Sequence, residues 1–142
     1  MRIKDIMNTD LLWVTPETDL VKTAEIMNKY DVGAVPVCNE DKHLLGMVTD
    51  RDIVIRNVAT GKSPEDTWVK DIMTTSVKTG TPNMTIDEAC DMMAEWQVRR
   101  LPIVENDALV GIVSIGDIAL DYDYDIEVAD CLCDICTPNY DD

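Results

Sequence analysis

The sequence contains one pattern twice, and the second copy starts 66 residues after the first. Lys4-Asp5-Ile6-Met7 returns as Lys70-Asp71-Ile72-Met73, and after a one-residue slip Gly46-Met47-Val48-Thr49 returns as Gly111-Ile112-Val113-Ser114. A fixed period held over about fifty residues is the mark of a duplicated structural unit. We therefore expect two copies that bury their apolar faces together and place equivalent residues on two sides of a pseudo-twofold cleft.

The length and composition are those of a small globular protein. A chain of 142 residues suits one compact domain or two fused halves, and a unit of about 60 residues is marginally stable alone. We see neither a run of 18 apolar residues nor the apolar segment of a signal peptide. The five cysteines are an odd number without framework spacing, which argues against a disulfide scaffold. These features predict a cytoplasmic protein.

The charge is strongly negative and unevenly distributed. The formal net charge is −16, and all 12 basic residues lie at or before Arg100. The eleven acids from Leu101 onward are Glu105, Asp107, Asp117, Asp121, Asp123, Asp125, Glu127, Asp130, Asp134, Asp141 and Asp142. Such a chain is repelled by nucleic acid and by anionic lipid, so neither is an expected partner. An anionic ligand would need a local concentration of Arg or Lys.

Each copy has the order β-α-β-β-α. Apolar spacing predicts helices over 18–30 and 85–96, and short apolar runs bounded by turn residues predict strands. The predicted strands are 11–14, 34–38 and 44–48 in the first copy and 76–78, 101–105 and 109–113 in the second. A helix follows Thr49 and another follows Ser114. One more amphipathic helix is predicted after Tyr124, from the spacing of Ile126, Ala129, Leu132, Cys133 and Cys136. Residues 137–142 are expected to fray.

Both copies place a hydroxyl and an acid three residues apart at a helix start. Thr49-Asp50-Arg51-Asp52 and Ser114-Ile115-Gly116-Asp117 fit a capping box, in which the hydroxyl and the carboxylate each accept a hydrogen bond from a main-chain amide. The same geometry suits a ligand. A helix N-terminus favours phosphate, and an acid there can accept both hydroxyls of a ribose. The two readings are compatible.

The copies differ just before the second strand. Gly33-Ala34-Val35-Pro36 in the first copy aligns with Arg99-Arg100-Leu101-Pro102 in the second. The two arginines are either a solvated pair or an anion site, because adjacent guanidinium groups repel each other unless an anion lies between them. Arg binds phosphate through two parallel hydrogen bonds, so an anion site is the favoured reading.

The first copy reads KDIM, TP, VGAVPV and GMVTDRDI, and the second reads KDIM, TP, VRRLPIV and GIVSIGDI. The order of these motifs, repeated in the second copy, resembles the cystathionine-β-synthase (CBS) domain pair, or Bateman module. The resemblance covers about residues 1–120. It implies an α+β fold in which two β-α-β-β-α repeats pack through their sheets with pseudo-twofold symmetry. It divides the chain into repeat 1 (1–60), a linker (61–69), repeat 2 (70–120) and an acidic tail with a short helix (121–142).

The resemblance also implies a ligand, an adenosine nucleotide (AMP, ADP or ATP) or S-adenosylmethionine, in two clefts. Asp52 and Asp117 would bind the ribose hydroxyls, and Thr49 and Ser114 would contact ribose or phosphate. In the family each cleft combines the end of one repeat with the beginning of the other. By the same resemblance, the Asp117 cleft would also be lined by Lys4, Arg99 and Arg100. The Asp52 cleft would also be lined by Lys70, Gly33 and Ala34. The apolar contacts to adenine would come from Ile6, Val35, Ile72 and Leu101.

The difference between Gly33-Ala34 and Arg99-Arg100 predicts unequal clefts. We expect the Asp117 cleft to bind the more highly phosphorylated nucleotide, with Arg51 as the basic residue of the other cleft. AMP, ADP or ATP is expected as a regulatory ligand, which would make the protein an energy sensor, and no catalytic cofactor is expected.

The sequence does not suggest an enzyme. We find no nucleophile–His pair and no Gly-rich phosphate loop. Cys131, Cys133 and Cys136 are too few for a zinc site, and Cys133 and Cys136 are interpreted as small apolar residues on a packing face. The acids 121–125 lack the later residues of a calcium loop. The alternatives to a nucleotide sensor are a dimerisation module with vestigial clefts, a module for S-adenosylmethionine or NAD, and, least favoured, a nucleotide hydrolase. The resemblance implies a homodimer through the helices after Thr49 and Ser114, with an unidentified effector protein.

Overall fold

The computed structural model describes residues 1–120 and 125–136 and has the expected α+β class. The order of its helices and strands is α1 (Leu20–Tyr30), β1 (Ala34–Cys38), β2 (Leu44–Thr49), α2 (Asp50–Arg56), α3 (Ile86–Trp96), β3 (Arg100–Glu105), β4 (Ala108–Ser114), α4 (Ile115–Ala119) and α5 (Asp125–Cys136). Short 3-10 turns cover Ile3–Asp5, Val58–Thr60, Pro64–Asp66 and Val69–Asp71. Among the described helices, none is long and apolar enough to cross a membrane.

The chain folds into two compact units. The Asp52 unit comprises Leu12–Val77 and Asp107–Leu109, and the Asp117 unit comprises Met1–Leu11, Lys78–Asn106 and the described residues from Val110 onward. The units therefore cut across the sequence repeats. The beginning of repeat 1 belongs to the unit that holds most of repeat 2, and the beginning of repeat 2 belongs to the other.

In the Asp52 unit, local signals set the ends of α1, and β1 and β2 form a small sheet. The Asp19 carboxylate caps α1 by accepting from the main-chain N of Lys22 at 2.7 Å, and Asp31 ends the helix in the left-handed region with φ 52°. Strands β1 and β2 pair antiparallel, with Ala34 opposite Thr49. The core of this unit is made by Val14, Leu20, Met27, Val35, Val37, Val48, Val69 and Ile72.

The Asp117 unit repeats this plan with a larger core. Thr85 caps α3, and Gln97 ends it at φ 52°. Strand β3 pairs with β4 in a two-stranded sheet. The buried side chains of the core are Ile3, Ile86, Ala89, Cys90, Met93, Leu101, Ile103, Val113, Ile115, Ile118, Val128 and Cys131.

The first predicted strand of each copy is wrong. In the described residues, 11–14 contributes a single parallel bridge between Val14 and Val37, and the predicted strand at 76–78 is replaced by a bridge between Gly80 and Ile103. Immediately after Val14 the chain turns away from the sheet, and hydrogen bonds between Thr15 and Thr18 stabilise this turn. Pro16 has no amide proton, so it cannot extend the strand pairing. Within residues 11–14 only Val14 is buried, and the run is too short to form a ladder.

Helix α5 exists where the spacing predicted it, but a different face is packed. The helix contacts α3 with Val128, Cys131, Leu132 and Ile135, and Cys133 and Cys136 are exposed. The Cys131 thiol donates to the Cys90 carbonyl at 3.3 Å, and burial raises the pKa of the Cys90 thiol to about 12. The prediction that Cys133 and Cys136 pack is therefore wrong. Residues 121–124 and 137–142, for which an acidic connector and a frayed end were predicted, lie outside the described residues.

Candidate ligand-binding sites

Both helix starts form the capping box that the sequence predicted. Before α2, the amide of Asp52 donates to Oγ1 of Thr49 at 3.0 Å, and Oδ2 of Asp52 accepts from the amide of Thr49 at 3.0 Å. Before α4, the amide of Asp117 donates to Oγ of Ser114 at 3.1 Å, and Oδ2 of Asp117 accepts from the amide of Ser114 at 2.8 Å. In each box the second carboxylate oxygen, Oδ1, takes no part in the cap.

Each capped helix start lies in the same unit as the KDIM segment of the other repeat. In the Asp117 unit, Asn8 and Ile112 exchange two main-chain hydrogen bonds of 2.8 and 3.0 Å. In the Asp52 unit, Met47 and Thr74 exchange two of 2.9 Å each. The segments that follow Lys4 and Lys70 are thus paired with the strands that lead to Ser114 and Thr49. This is the combination of one repeat's end with the other's beginning that the resemblance implied.

Two equivalent glycines allow this close approach. A Cβ added at Gly46 would lie 2.6 Å from the carbonyl oxygen of Thr74, and one added at Gly111 would lie 2.5 Å from Sδ of Met7. Cβ atoms in real proteins do not approach other atoms this closely. The glycines of the repeated GMVT and GIVS segments are therefore required by packing against the KDIM segments.

The residues that precede β1 and β3 touch the first residue of the following capped helix. Gly33 accepts from the amide of Asp50 at 2.9 Å, and Arg99 accepts from the amide of Ile115 at 2.9 Å. The main-chain contacts are the same, but the side chains are opposite in charge. The Asp50 carboxylate lies so close to Gly33 that an added Cβ would be 3.0 Å from its Oδ2. The Asp52 site therefore has an acid at the place where the Asp117 site has the buried Ile115.

Arg99 and Arg100 are both exposed at the start of β3. Nη2 of Arg99 lies 3.9 Å from Sγ of Cys136, at the end of α5. This distance is compatible with only a weak interaction, and it leaves most of the donors of Arg99 for other partners. Lys4, the third basic residue expected at the Asp117 site, is exposed as well.

The basic residue beside Asp52 is Arg56, which the sequence reasoning missed. Nε of Arg56 lies 3.8 Å from Oδ1 of Asp52, and Nη1 donates to the carbonyl of Ile72 at 2.9 Å. The spacing of four residues on one helix was a signal for the ion pair. The second contact joins residues far apart in sequence and required the fold. Arg51, the predicted basic residue of this site, is exposed, and its amide donates to Oδ1 of Asp50 at 2.8 Å.

Lys70 is directed to an aromatic ring. Its Nζ lies 4.5 Å from the centroid of Trp68, which is a cation–π distance. Its amide donates to the carbonyl of Pro16 at 3.0 Å, as the amide of Lys4 donates to that of Pro82 at 3.0 Å. The main chains of the two lysines are therefore placed alike.

The apolar residues expected to hold adenine are placed mainly in the cores. Val35 and Leu101 have no exposed surface, and Ile72 is 3 % exposed. Ile6 is half-buried, as is Ala34 at the start of β1. The prediction that the first three contact a ring does not fit this arrangement, because their side chains face the core and offer a ligand no surface. Ile6 and Ala34 have surface available.

Metal-binding groups are dispersed in the part of the chain that the structure describes. Within residues 1–120 and 125–136, no three His, Cys, Asp or Glu side chains are grouped as a metal site requires.

Comparisons with known proteins agree with this architecture. A family model for the CBS domain matches residues 3–57 and 69–122. The CBS domain-containing protein YhcV of Bacillus subtilis is 43% identical over 118 residues, which are 83% of either chain. Hypoxic response protein 1 of Mycobacterium tuberculosis is 40% identical over 116 residues, which are 82% of this chain and 81% of that protein.

Solved structures show the same fold. A crystal structure of Hypoxic Response Protein I with two coordinated zinc ions has a TM-score of 0.79 at 38% identity, over 84% of this chain and 98% of that one. The structure of a CBS domain pair in complex with 5′-methylthioadenosine and S-adenosyl-L-methionine has a TM-score of 0.75 at 25% identity, over 84% of this chain and 94% of that one. With two matched domains that span most of its length, the chain belongs to the CBS domain family.

Proposed function

We propose that the protein is a regulatory module that binds adenine nucleotides of the AMP, ADP and ATP class at two sites, one beside Asp52 and one beside Asp117. The observation that carries the proposal is the pair of equivalent carboxylates, each fixed by a capping box and each with one oxygen outside the cap. Two sites of the same construction, each within one compact unit, are what a duplicated nucleoside-binding module needs.

The chemistry of the carboxylates suits a ribose. A carboxylate at a helix start can accept both hydroxyls of a cis-diol, and the two oxygens of Asp52 or Asp117 have lone pairs beyond those used in the cap. The similar structure with bound 5′-methylthioadenosine and S-adenosyl-L-methionine supports an adenosine moiety in this fold. S-adenosylmethionine and NAD, which share that moiety, are the competing ligands.

The phosphate preference rests on Arg99 and Arg100. Both are exposed at the start of β3, and the neighbouring helix position is the apolar Ile115, so no acid stands there to repel phosphate. In the Asp52 site the corresponding places hold Gly33 and Asp50. The Asp117 site is therefore proposed to take the nucleotide with more phosphates.

Regulation by a binding module requires that the ligand favour one conformation or partner state over another. We propose this role, and not catalysis, because the residues brought together supply acceptors and cations without a nucleophile–base pair. A cytoplasmic location belongs to the proposal, since adenine nucleotides are made and used there.

A homodimer is also part of the proposal. Apolar side chains lie exposed along and after α2 and after α4: Val54 is 54%, Ile55 50%, Val58 60% and Leu120 82% exposed. Ile53 on α2 and Ile118 on α4, in contrast, each pack against the core of their own unit. The doubly substituted Val54→Asp/Val58→Asp protein should be monomeric in light scattering while wild type is dimeric. A monomeric wild type at micromolar concentration would refute the dimer.

The nucleotide proposal is tested by a thermal-shift screen with AMP, ADP, ATP, NAD and S-adenosylmethionine, followed by calorimetry. A ligand at 100 times its dissociation constant should stabilise the protein by about 2.7 kcal/mol. Replacing both carboxylates, Asp52→Asn/Asp117→Asn, should abolish the shift, and the exposed Asp91→Asn on α3 serves as the matched control. If no adenosine compound binds wild type, or if the double variant binds as well as Asp91→Asn, the proposed function is wrong.

A further inference from the structure

Arg56 contacts two acceptors at the Asp52 site, one through a hydrogen bond and the other at ion-pair distance. It is the last residue of α2, and its guanidinium group reaches the Ile72 carbonyl at 2.9 Å and Oδ1 of Asp52 at 3.8 Å. The Asp52 side chain is 14% exposed, whereas that of Arg56 is 52% exposed. The guanidinium group therefore covers a nearly buried carboxylate from the solvent side and can leave it without unfolding the helix.

The oxygen that Arg56 covers, Oδ1 of Asp52, is the one best placed to accept a hydrogen bond from a ribose hydroxyl. Oδ2 of Asp52 already accepts from the amide of Thr49 in the capping box. Oδ1 is the oxygen outside the cap, and it faces Arg56. A ribose hydroxyl that donates to Oδ1 must share it with the guanidinium group or displace it.

The second acceptor adds to this competition. The Ile72 carbonyl belongs to the KDIM segment that pairs with the strand before Thr49, so it lies at the same site. Its hydrogen bond to Nη1 of Arg56, at 2.9 Å, connects the end of α2 to that segment. A ligand amino group that donated a hydrogen bond to this carbonyl would also compete with Arg56.

The other copy does not repeat this arrangement in its sequence. The offset that aligns Thr49 with Ser114 and Asp52 with Asp117 places Asp121 opposite Arg56. An aspartate cannot form an ion pair with a carboxylate as an arginine does. Arg56 is thus a feature of one site and not of the repeated framework.

We propose that Arg56 determines the specificity of the Asp52 site by selecting nucleotides over nucleosides. An unphosphorylated nucleoside must displace the guanidinium group from its acceptors and offers it no new partner. A nucleotide offers its phosphate, which arginine binds strongly. Arg56 therefore weakens adenosine binding and weakens AMP binding less.

This inference rests on the proposed function, and it is tested by calorimetry with adenosine and AMP in an Asp117→Asn background, which isolates the Asp52 site. Adding Arg56→Met should strengthen adenosine binding about threefold, the gain expected from removing one partly exposed ion pair. The ratio of AMP affinity to adenosine affinity should fall. Arg56→Lys keeps the charge but lacks the planar fork, and should lie between wild type and Arg56→Met.

Lys62→Met, which removes one exposed positive charge beyond α2, is the matched control and should leave the ratio unchanged. Adenosine binding that is unchanged or weaker in Arg56→Met would overturn the inference while leaving the proposed function intact. If wild type binds these ligands but the Asp117→Asn protein binds neither, the Asp52 site and the role of Arg56 are refuted together. If wild type binds neither, the proposed function itself fails, and with it the inference.

Discussion

The Asp52 and Asp117 units share a main-chain framework and differ in the charges placed on it. The capping boxes, the contact between Gly33 or Arg99 and the next helix, and the paired KDIM segment are the same in both. Around the two capped helix starts the units differ in side chains: Asp50 and Arg56 in one unit, Arg99 and Ile115 in the other. The two copies thus share the geometry that we propose binds a nucleoside, and they differ in the charges around it.

The largest expected effect is the loss of phosphate binding at one site only. In a protein with Asp52→Asn, which keeps only the Asp117 site, Arg99→Gln/Arg100→Gln should weaken ATP binding by about 10- to 100-fold, because hydrogen bonds to charged groups contribute about 1.5–3 kcal/mol each. Adenosine binding should change little. Lys22→Gln/Lys29→Gln on α1 removes the same charge from the other unit and is the control. Equal losses for adenosine and ATP would show that the arginines support the fold and not the phosphate.

The second comparison concerns the glycines under the KDIM segments. Gly46→Ala should destabilise the protein by about 3 kcal/mol, because the added Cβ meets the main-chain carbonyl of Thr74, which cannot move alone. Gly111→Ala should cost about 1 kcal/mol, because its first contact is the flexible side chain of Met7.

Both costs are measured as free energies of unfolding in urea. Gly116→Ala, where the nearest atom is Oγ of Ser114 at an ordinary 3.6 Å, is the control and should cost less than either. A larger cost at Gly111 than at Gly46 would contradict this account of the two approaches.

The smallest expected change in stability comes from removing the N-caps that both units share. Thr49→Ala and Ser114→Ala each remove one N-cap and should each lower the free energy of unfolding by about 1 kcal/mol. Because the boxes have nearly the same geometry, the two losses should agree. Ser76→Ala, an exposed serine outside the helices and strands, is the matched control. Losses that differ by more than a factor of two would mean that the frameworks are less alike than their geometry indicates.

Much of the framework was predictable because its signals are local. The capping boxes of Thr49 with Asp52 and of Ser114 with Asp117 are set by residues three apart. The repeat, whose offset is 66 residues before the slip and 65 after it, identified the equivalent positions. Helix α5 was predicted from apolar spacing, but its packed face was not, since Cys131 and not Cys133 meets the core of α3.

The missed features depend on contacts between distant segments. Arg56 reaches the Ile72 carbonyl across sixteen residues of sequence, and Asp50 lies against Gly33. The resemblance to the CBS domain pair implied that Val35 contacts adenine. The alternation of side chains along β1, however, points it into the core. Which way a strand faces is decided by the core it covers, so sequence position alone did not place this residue.

The central claim is that two similar adenosine sites differ in their preference for phosphate. The most direct test is calorimetry of adenosine and ATP with two single-site proteins, Asp52→Asn and Asp117→Asn. The ratio of ATP affinity to adenosine affinity should be at least about tenfold larger in Asp52→Asn, which retains Arg99, Arg100 and an intact Asp117. Equal ratios in the two proteins, or a larger ratio in Asp117→Asn, would contradict it.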